Sequence, residues 1–185
     1  MKFFTKKHGL ILVLLAASSS LSATEILNNN ITEAEIKAAQ DAWGKALIQI
    51  SDDYRTSGIE KAKTTATAVL DSAYAYSYGP VLFKPTLAEG KQTFRVNQEG
   101  ALAYFIGHNE SYPSDSGFAL KNWKSYSYDN AAIYINGDMG LTMGKVHLVD
   151  LNDKKTTVDK TWGFKKGDDG KVRIVLHHSS LPYGK

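Results

Sequence analysis

The chain reads as an α+β domain in which helices come first and an antiparallel meander follows. Three observations predict this. Up to about residue 73 the apolar residues recur at three- and four-residue spacing, one face of a helix. From Gly79-Pro80 onward the period changes to two, the spacing of strands with one buried face. Short clusters of Asn, Asp and Gly then separate the alternating segments, as in hairpin-connected strands. Helices followed by strands, with no alternation of the two, describe an α+β layer arrangement.

The elements follow in order. Residues 24–31 are polar and Asn-rich and read as a flexible leader. Thr32 and Glu35 are spaced for a capping box, and Ile31 and Ile36 for a hydrophobic staple. Ile36, Ala39, Trp43, Leu47 and Ile50 then mark a helix running to about Tyr54 and ending before Gly58. A second helix, roughly Glu60 to Ala73, carries Ala62, Ala66, Val69 and Ala73 on one side, small enough for close packing. Val81 to Phe83, Thr93 to Val96 and Ala101 to Ile106 are strand candidates, and 107–117 is a polar loop. Lys121 to Asn136 reads as one long strand bent at Asp129-Asn130. Asn136-Gly137 signals a hairpin. Leu141 to Leu151, Thr156 to Lys165 and Lys171 to Leu181 complete the meander.

Composition narrows the classes of function. The whole chain has 185 residues and net charge +3. Its first 23 residues hold Lys2, Lys6 and Lys7 with no acid, then the apolar run Leu10 to Ala17 and small residues, the layout of a secretory signal peptide. The apolar run is too short for a permanent bilayer span. Taking those three lysines from the 22 basic residues leaves 19, equal to the 19 acidic ones. The mature chain from residue 24 is thus neutral, and its domain over 32–185 lacks the basic footprint of a nucleic-acid binder. The predicted location is periplasmic or secreted, with no membrane attachment after processing. There is no cysteine, which excludes disulfides, thiol nucleophiles and thiolate-held zinc. His108, His147, His177 and His178 remain after processing, and the one adjacent pair diverges along a strand. Neither a metal site nor a cofactor is expected.

The closing strand, Arg173-Ile-Val-Leu-His177-His178-Ser179-Ser180-Leu181-Pro182, carries most of the site evidence. Strict alternation places Ile174, Leu176, His178 and Ser180 on one face and Arg173, Val175, His177 and Ser179 on the other. His178 with Ser180 is then expected on the pocket side, and His177 toward a partner or solvent.

This ending, an Asp-Gly turn leading to a strand that finishes in His178, Ser180 and Pro182, resembles SnoaL-like proteins. It also resembles the association domain of calcium/calmodulin-dependent protein kinase II. Phe83-Lys84-Pro85 is similar to the Phe-x-Pro that follows the helices of that domain. All belong to the nuclear-transport-factor-2-like superfamily, and the likeness covers roughly residues 32–183. It implies a cone, with N-terminal helices packed on a strongly curved, mostly antiparallel sheet that encloses a pocket, and self-association, most simply as a homodimer. Trp162 stands where the kinase domain carries a pocket arginine, which implies an aromatic-lined cavity.

The candidate pocket residues are His178, Ser180, Trp162, Trp123, Tyr104 and Tyr126. Asp115, in the loop before Phe118, could supply a carboxylate at the pocket mouth and partner His178 as general acid or base. His147 is expected on an outer face and His108 in solvent. The favoured reading is an exported, self-associating pocket protein that binds a small, largely apolar or aromatic ligand. The alternative is a cofactor-free isomerase, cyclase or hydrolase that uses His178 with a carboxylate.

Overall fold

The computed structural model describes residues 28–184. The signal peptide assigned to residues 1–23, and the leader up to residue 27, lie outside these residues.

Helix α1 (Glu33–Ser57) starts at the expected box. Thr32 Oγ1 accepts the Glu35 N–H at 3.2 Å, and the Glu35 carboxylate accepts the Thr32 N–H at 2.9 Å. Ile31 and Ile36 are both buried, completing the staple. Gly58, at φ 82°, ends the helix in a conformation that side chains resist. Helix α2 (Ile59–Ala73) begins directly after it and lays Ala62, Ala66 and Leu70 into the core beside α1. Close approach of α1 to the sheet depends on Gly44, because a Cβ there would run into the Tyr126 ring.

Strand β1 (Leu82–Lys84) comes next. The expected strand at Ala101 to Ile106 is instead helix α3 (Gln98–Ile106). Asn97 caps it, its Oδ1 accepting the Gly100 N–H at 2.9 Å. From Gly100 to Ile106 every α3 residue except the half-buried Leu102 is buried, so there is no polar face from which a helical period could be read. Thr93 to Val96 forms no strand either; it is irregular chain tied to β1 by the Arg95 N–H donating to the Phe83 carbonyl at 2.8 Å.

Strands β2 (Trp123–Asn136), β3 (Met139–Asp150), β4 (Lys155–Lys166) and β5 (Val172–Ser180) form the meander. The sheet order is β1-β5-β4-β3-β2, antiparallel except for β1 beside β5. The β2 to β3 turn has Gly137 at φ 58°, as the Asn-Gly signal requires. A bulge in β2 falls between Asn130 and Ala132, at the expected bend. The three helices pack on this curved sheet, the cone-like α+β arrangement that the sequence predicts. No helix of the described residues is long and apolar enough to cross a membrane.

A bulge between β4 and β5 sets which residues of the closing strand face inward. On β4 and β5, Gly163 pairs with Leu176 but Phe164 pairs with Ile174, so Val175 is one residue too many. Gly163 accommodates it: a Cβ there would sit 2.9 Å from that of Leu176.

Candidate active site

The bulge inverts the expected faces of the closing strand. Ile174 points into the core, but alternation restarts after Val175, and the inward residues become His177 and Ser179, 2% and 1% exposed. His178 is exposed on the outer sheet face, and Ser180 beside it is half-buried. Both line a surface groove with Asp129, Lys145, Asp159 and Thr161. The pleat does separate the two histidines. It is His177 with Ser179, not His178 with Ser180, that enters the interior between helices and sheet. His178 is held below the ordinary imidazole range by burial first and the charges of Lys84 and Lys160 second.

His177 sits at the centre of an aromatic shell. The Phe83 ring is 4.4 Å from its own, centroid to centroid, and Trp43, Tyr74 and Trp162 complete the surround. Both ring nitrogens have partners: Tyr74 Oη lies 2.8 Å from Nδ1 and Lys160 Nζ lies 2.6 Å from Nε2. The direction of these bonds follows from counting donors. Tyr74 Oη already accepts the Trp43 indole N–H at 3.0 Å, and among the described residues its hydroxyl hydrogen has no acceptor other than Nδ1. That leaves Nε2–H to donate to Lys160, which accepts as an uncharged amine.

Burial agrees with this assignment. Lys160 is 5% exposed, forms no ion pair among the described residues, and lies over the Trp43 and Trp162 rings at 4.7 and 5.2 Å. Desolvation pushes its ammonium down to about 7. His177 is held well below its usual value, by burial first and the Lys160 charge second.

Next to this chain lies a set of hydroxyls. Lys160 pairs across the ladder with Ser179, and Trp162 with His177. Ser179 Oγ is 2.5 Å from Thr86 Oγ1, and the Ser179 carbonyl accepts from Lys84 Nζ at 3.1 Å. Tyr104 Oη is buried close to the Thr86 hydroxyl and the Leu87 backbone, yet completes no hydrogen bond of good geometry. Its phenol is pushed well above the normal tyrosine value by burial. The Trp162 indole N–H is likewise buried without a partner. Buried polar groups are almost always satisfied. The Tyr104 hydroxyl near Thr86 and the Trp162 N–H beside His177 are thus two buried donors left to meet an acceptor.

The remaining predicted site residues are placed as follows. Tyr104 and Trp162 line this interior. Trp123 is buried at its edge, its indole N–H donating to the Phe118 carbonyl at 2.8 Å. Tyr126 belongs to the helix–sheet contact, its hydroxyl donating to the Asp41 carbonyl at 2.9 Å. Asp115 is not a free carboxylate at a pocket mouth. It is buried in a two-pronged ion pair with Arg95, which also donates to the Gly100 and Gln92 carbonyls. The structure does not bring Asp115 and His178 together. His147 lies toward the outer face between Thr157 and Asp129, and His108 is exposed. Among the described residues no group of three or more His, Asp or Glu is placed to hold a metal ion.

His177, Ser179, Thr86, Lys160, Tyr74 and Trp43 lie outside the set that the sequence singled out as the pocket. Lys160 does have a signal: it shares strand parity with Val158, Trp162 and Phe164, so a lysine stands in a row of inward positions. Thr86 has none; it follows the Phe-x-Pro turn and is set by tertiary packing.

Comparisons with known proteins bear on this interior. A family profile described as metal-independent carbonic anhydrase matches residues 34–181. A metal-independent carbonic anhydrase from Nostoc sp. is 54% identical over 169 residues, 91% of this chain and 82% of that one. A crystal structure of the iota-carbonic anhydrase from a cyanobacterium, complexed with bicarbonate, superposes with a TM-score of 0.86 at 54% identity and covers 88% of this chain and 99% of that chain. A Xanthomonas campestris structure of the calcium/calmodulin dependent protein kinase II association-domain type shares the fold at TM-score 0.55 and 21% identity, covering 88% and 100%. The superseding likeness is thus to an enzyme family. It overturns the expectation of a binding module without assigned chemistry and favours the alternative reading only in that the chain belongs with enzymes, not in the isomerase, cyclase or hydrolase chemistry or in the pairing of His178 with a carboxylate. On the match over residues 34–181 and on that identity, the chain belongs to the metal-independent carbonic anhydrase family.

Proposed function

We propose that this protein interconverts carbon dioxide and bicarbonate in the aromatic interior around His177 and Ser179, without a resident metal. The observation that carries the reading is Tyr104 Oη, a buried donor with no partner beside the Thr86–Ser179 hydroxyl pair. The two faces of the reaction ask for different surroundings. Carbon dioxide is apolar and suits walls such as Phe83, Phe105 and Phe118. Bicarbonate is an anion with three oxygens and needs several donors at once. Ser179, Thr86, Tyr104 and the Trp162 N–H supply them from largely buried positions, where such bonds are stronger than in water. Bicarbonate bound in the cyanobacterial relative supports this reading, and makes the expected ligand a small anion rather than an apolar or aromatic molecule.

The outer sheet face carries exposed Leu141, Met143 and Tyr134, which supports pairing of two copies through that face. The basic, then apolar, then small-residue start of the chain supports export to the periplasm or beyond.

Stopped-flow hydration of carbon dioxide tests the activity directly, using mature protein dialysed against a strong zinc chelator. The reading predicts catalysis unchanged by the chelator. Loss of activity on chelation, with recovery on adding zinc, would refute it.

A further inference from the structure

Deepening that reading, and resting on it, we infer that Lys160 and His177 form the proton-holding pair of the site: a neutral amine and imidazole at rest that together take up the proton which water releases on attacking carbon dioxide. The need is chemical. A metal-free site has no Lewis acid to acidify water, so a base must remove a proton as the new bond forms. In this step the water oxygen bonds to the carbon of carbon dioxide, one O–H bond of water breaks, and one N–H bond forms on the pair. Bicarbonate and a singly cationic pair result.

The geometry selects this pair. Lys160 Nζ and His177 Nε2 are 2.6 Å apart, both within the aromatic shell, and Lys160 is the cross-strand partner of Ser179. Side chains paired in this way are immediate neighbours on one face. The groups facing the amine leave it without an anion. From α1 comes the Trp43 ring, from the end of α2 the Tyr74 hydroxyl through His177, and from β5 His177 itself. Its partner on β3 is Gly144, which has no side chain, and the nearby Asp159 is paired with Lys145 on the outer face. Lys84 adds further positive charge from β1, bound to the Ser179 carbonyl. Adding one proton reverses the central bond: the ammonium donates to Nε2, and the imidazole carries its own hydrogen on Nδ1 and donates it to Tyr74 Oη, whose hydroxyl hydrogen turns away from the ring. The proton belongs to the pair, not to either residue alone.

The test compares wild-type protein with Lys160→Met, a near-isosteric change that removes the amine. Rates are followed across pH 5.5 to 9 in a bulky, poorly penetrating buffer, about the range over which such a pair exchanges its proton. The expected result is a wild-type rate that rises through a limb near neutral pH. In K160M that limb is lost, kcat falls about a hundredfold and KM for bicarbonate changes little. Small amines or imidazole added to K160M should restore part of the rate, which a purely structural lysine would not allow. A K160M enzyme that is folded and keeps the wild-type limb and kcat would overturn the inference. Should K160M fail to fold, the wild-type Lys160 side-chain resonance read by NMR decides: titration near 7 supports the pair, and titration in the ordinary lysine range overturns it. Wild-type protein with no activity at all would overturn the carbonic anhydrase reading and this inference together, an outcome distinct from an active enzyme indifferent to Lys160.

Discussion

Lys160 Nζ lies 2.6 Å from His177 Nε2 in an interior where, among the described residues, no carboxylate is paired with either group. The relationship fixes the sign of a pH effect on stability. The Lys160 ammonium is pushed down to about 7 in the fold by burial and returns to the ordinary lysine range when the chain unfolds. Between those values the unfolded chain binds one more proton, so stability rises with pH by about 1.4 kcal/mol per unit. His177, kept unprotonated by burial, acts the same way at lower pH. Denaturant titrations should therefore show Lys160→Met to be more stable than wild type at pH 6 to 7, with the advantage shrinking toward pH 10, about the upper end of the lysine window. An advantage that grew with pH would show that the amine is charged in the fold.

Tyr104→Phe removes a hydroxyl that no protein group satisfies. Thermal stability should hold or rise slightly. Bicarbonate affinity should fall about tenfold to a hundredfold, the worth of a hydrogen bond to a charged acceptor. Calorimetric titration of bicarbonate beside a melting curve separates the two effects. A large loss of stability with unchanged affinity would assign the hydroxyl to the fold.

The Arg95–Asp115 pair has the opposite role. Both side chains are buried, and Arg95 also ties the start of α3 and the chain at Gln92. Asp115→Ala leaves that guanidinium unpaired and should cost about 3–5 kcal/mol. The midpoint of a reversible denaturant curve measures it, and a cost under about 1 kcal/mol would place the pair in solvent.

Met143 is 62% exposed on β3, with Leu141 beside it on the same outer face. Met143→Glu should convert the proposed dimer to monomer in light scattering while leaving the melting temperature of the monomer nearly unchanged, because an exposed side chain loses no core contacts. Wild-type protein that is monomeric at high concentration would rule out the interface.

Much of the fold was legible in the sequence because local chemistry sets it. Thr32 and Glu35 cap α1, Gly58 breaks it, Gly137 turns the hairpin, and the β2 bend lies where Asp129-Asn130 puts it. Helix α3 is hidden from the sequence because Ala101 to Ile106, buried but for the half-buried Leu102, has no polar positions to reveal its period. The site was legible only in part. Tyr104 and Trp162 are interior rings as expected, but it is His177 and not His178 that faces the interior, since counting by two cannot anticipate Val175 as an extra residue in β5. That bulge belongs to the pairing of two strands; its one local mark is Gly163 on β4, and β5, which holds the extra residue, carries none. Asp115 was mistaken for a free acid because its partner, Arg95, is 20 residues away in sequence.

The most direct test of the account is depletion of oxygen-18 from labelled carbon dioxide, followed by mass spectrometry on chelator-treated protein. Wild type should deplete the label far faster than buffer alone, and Tyr104→Phe combined with Ser179→Ala should bring the rate close to that of buffer. A folded double variant that exchanges label at the wild-type rate would contradict the claim that this interior is where carbon dioxide and bicarbonate interconvert.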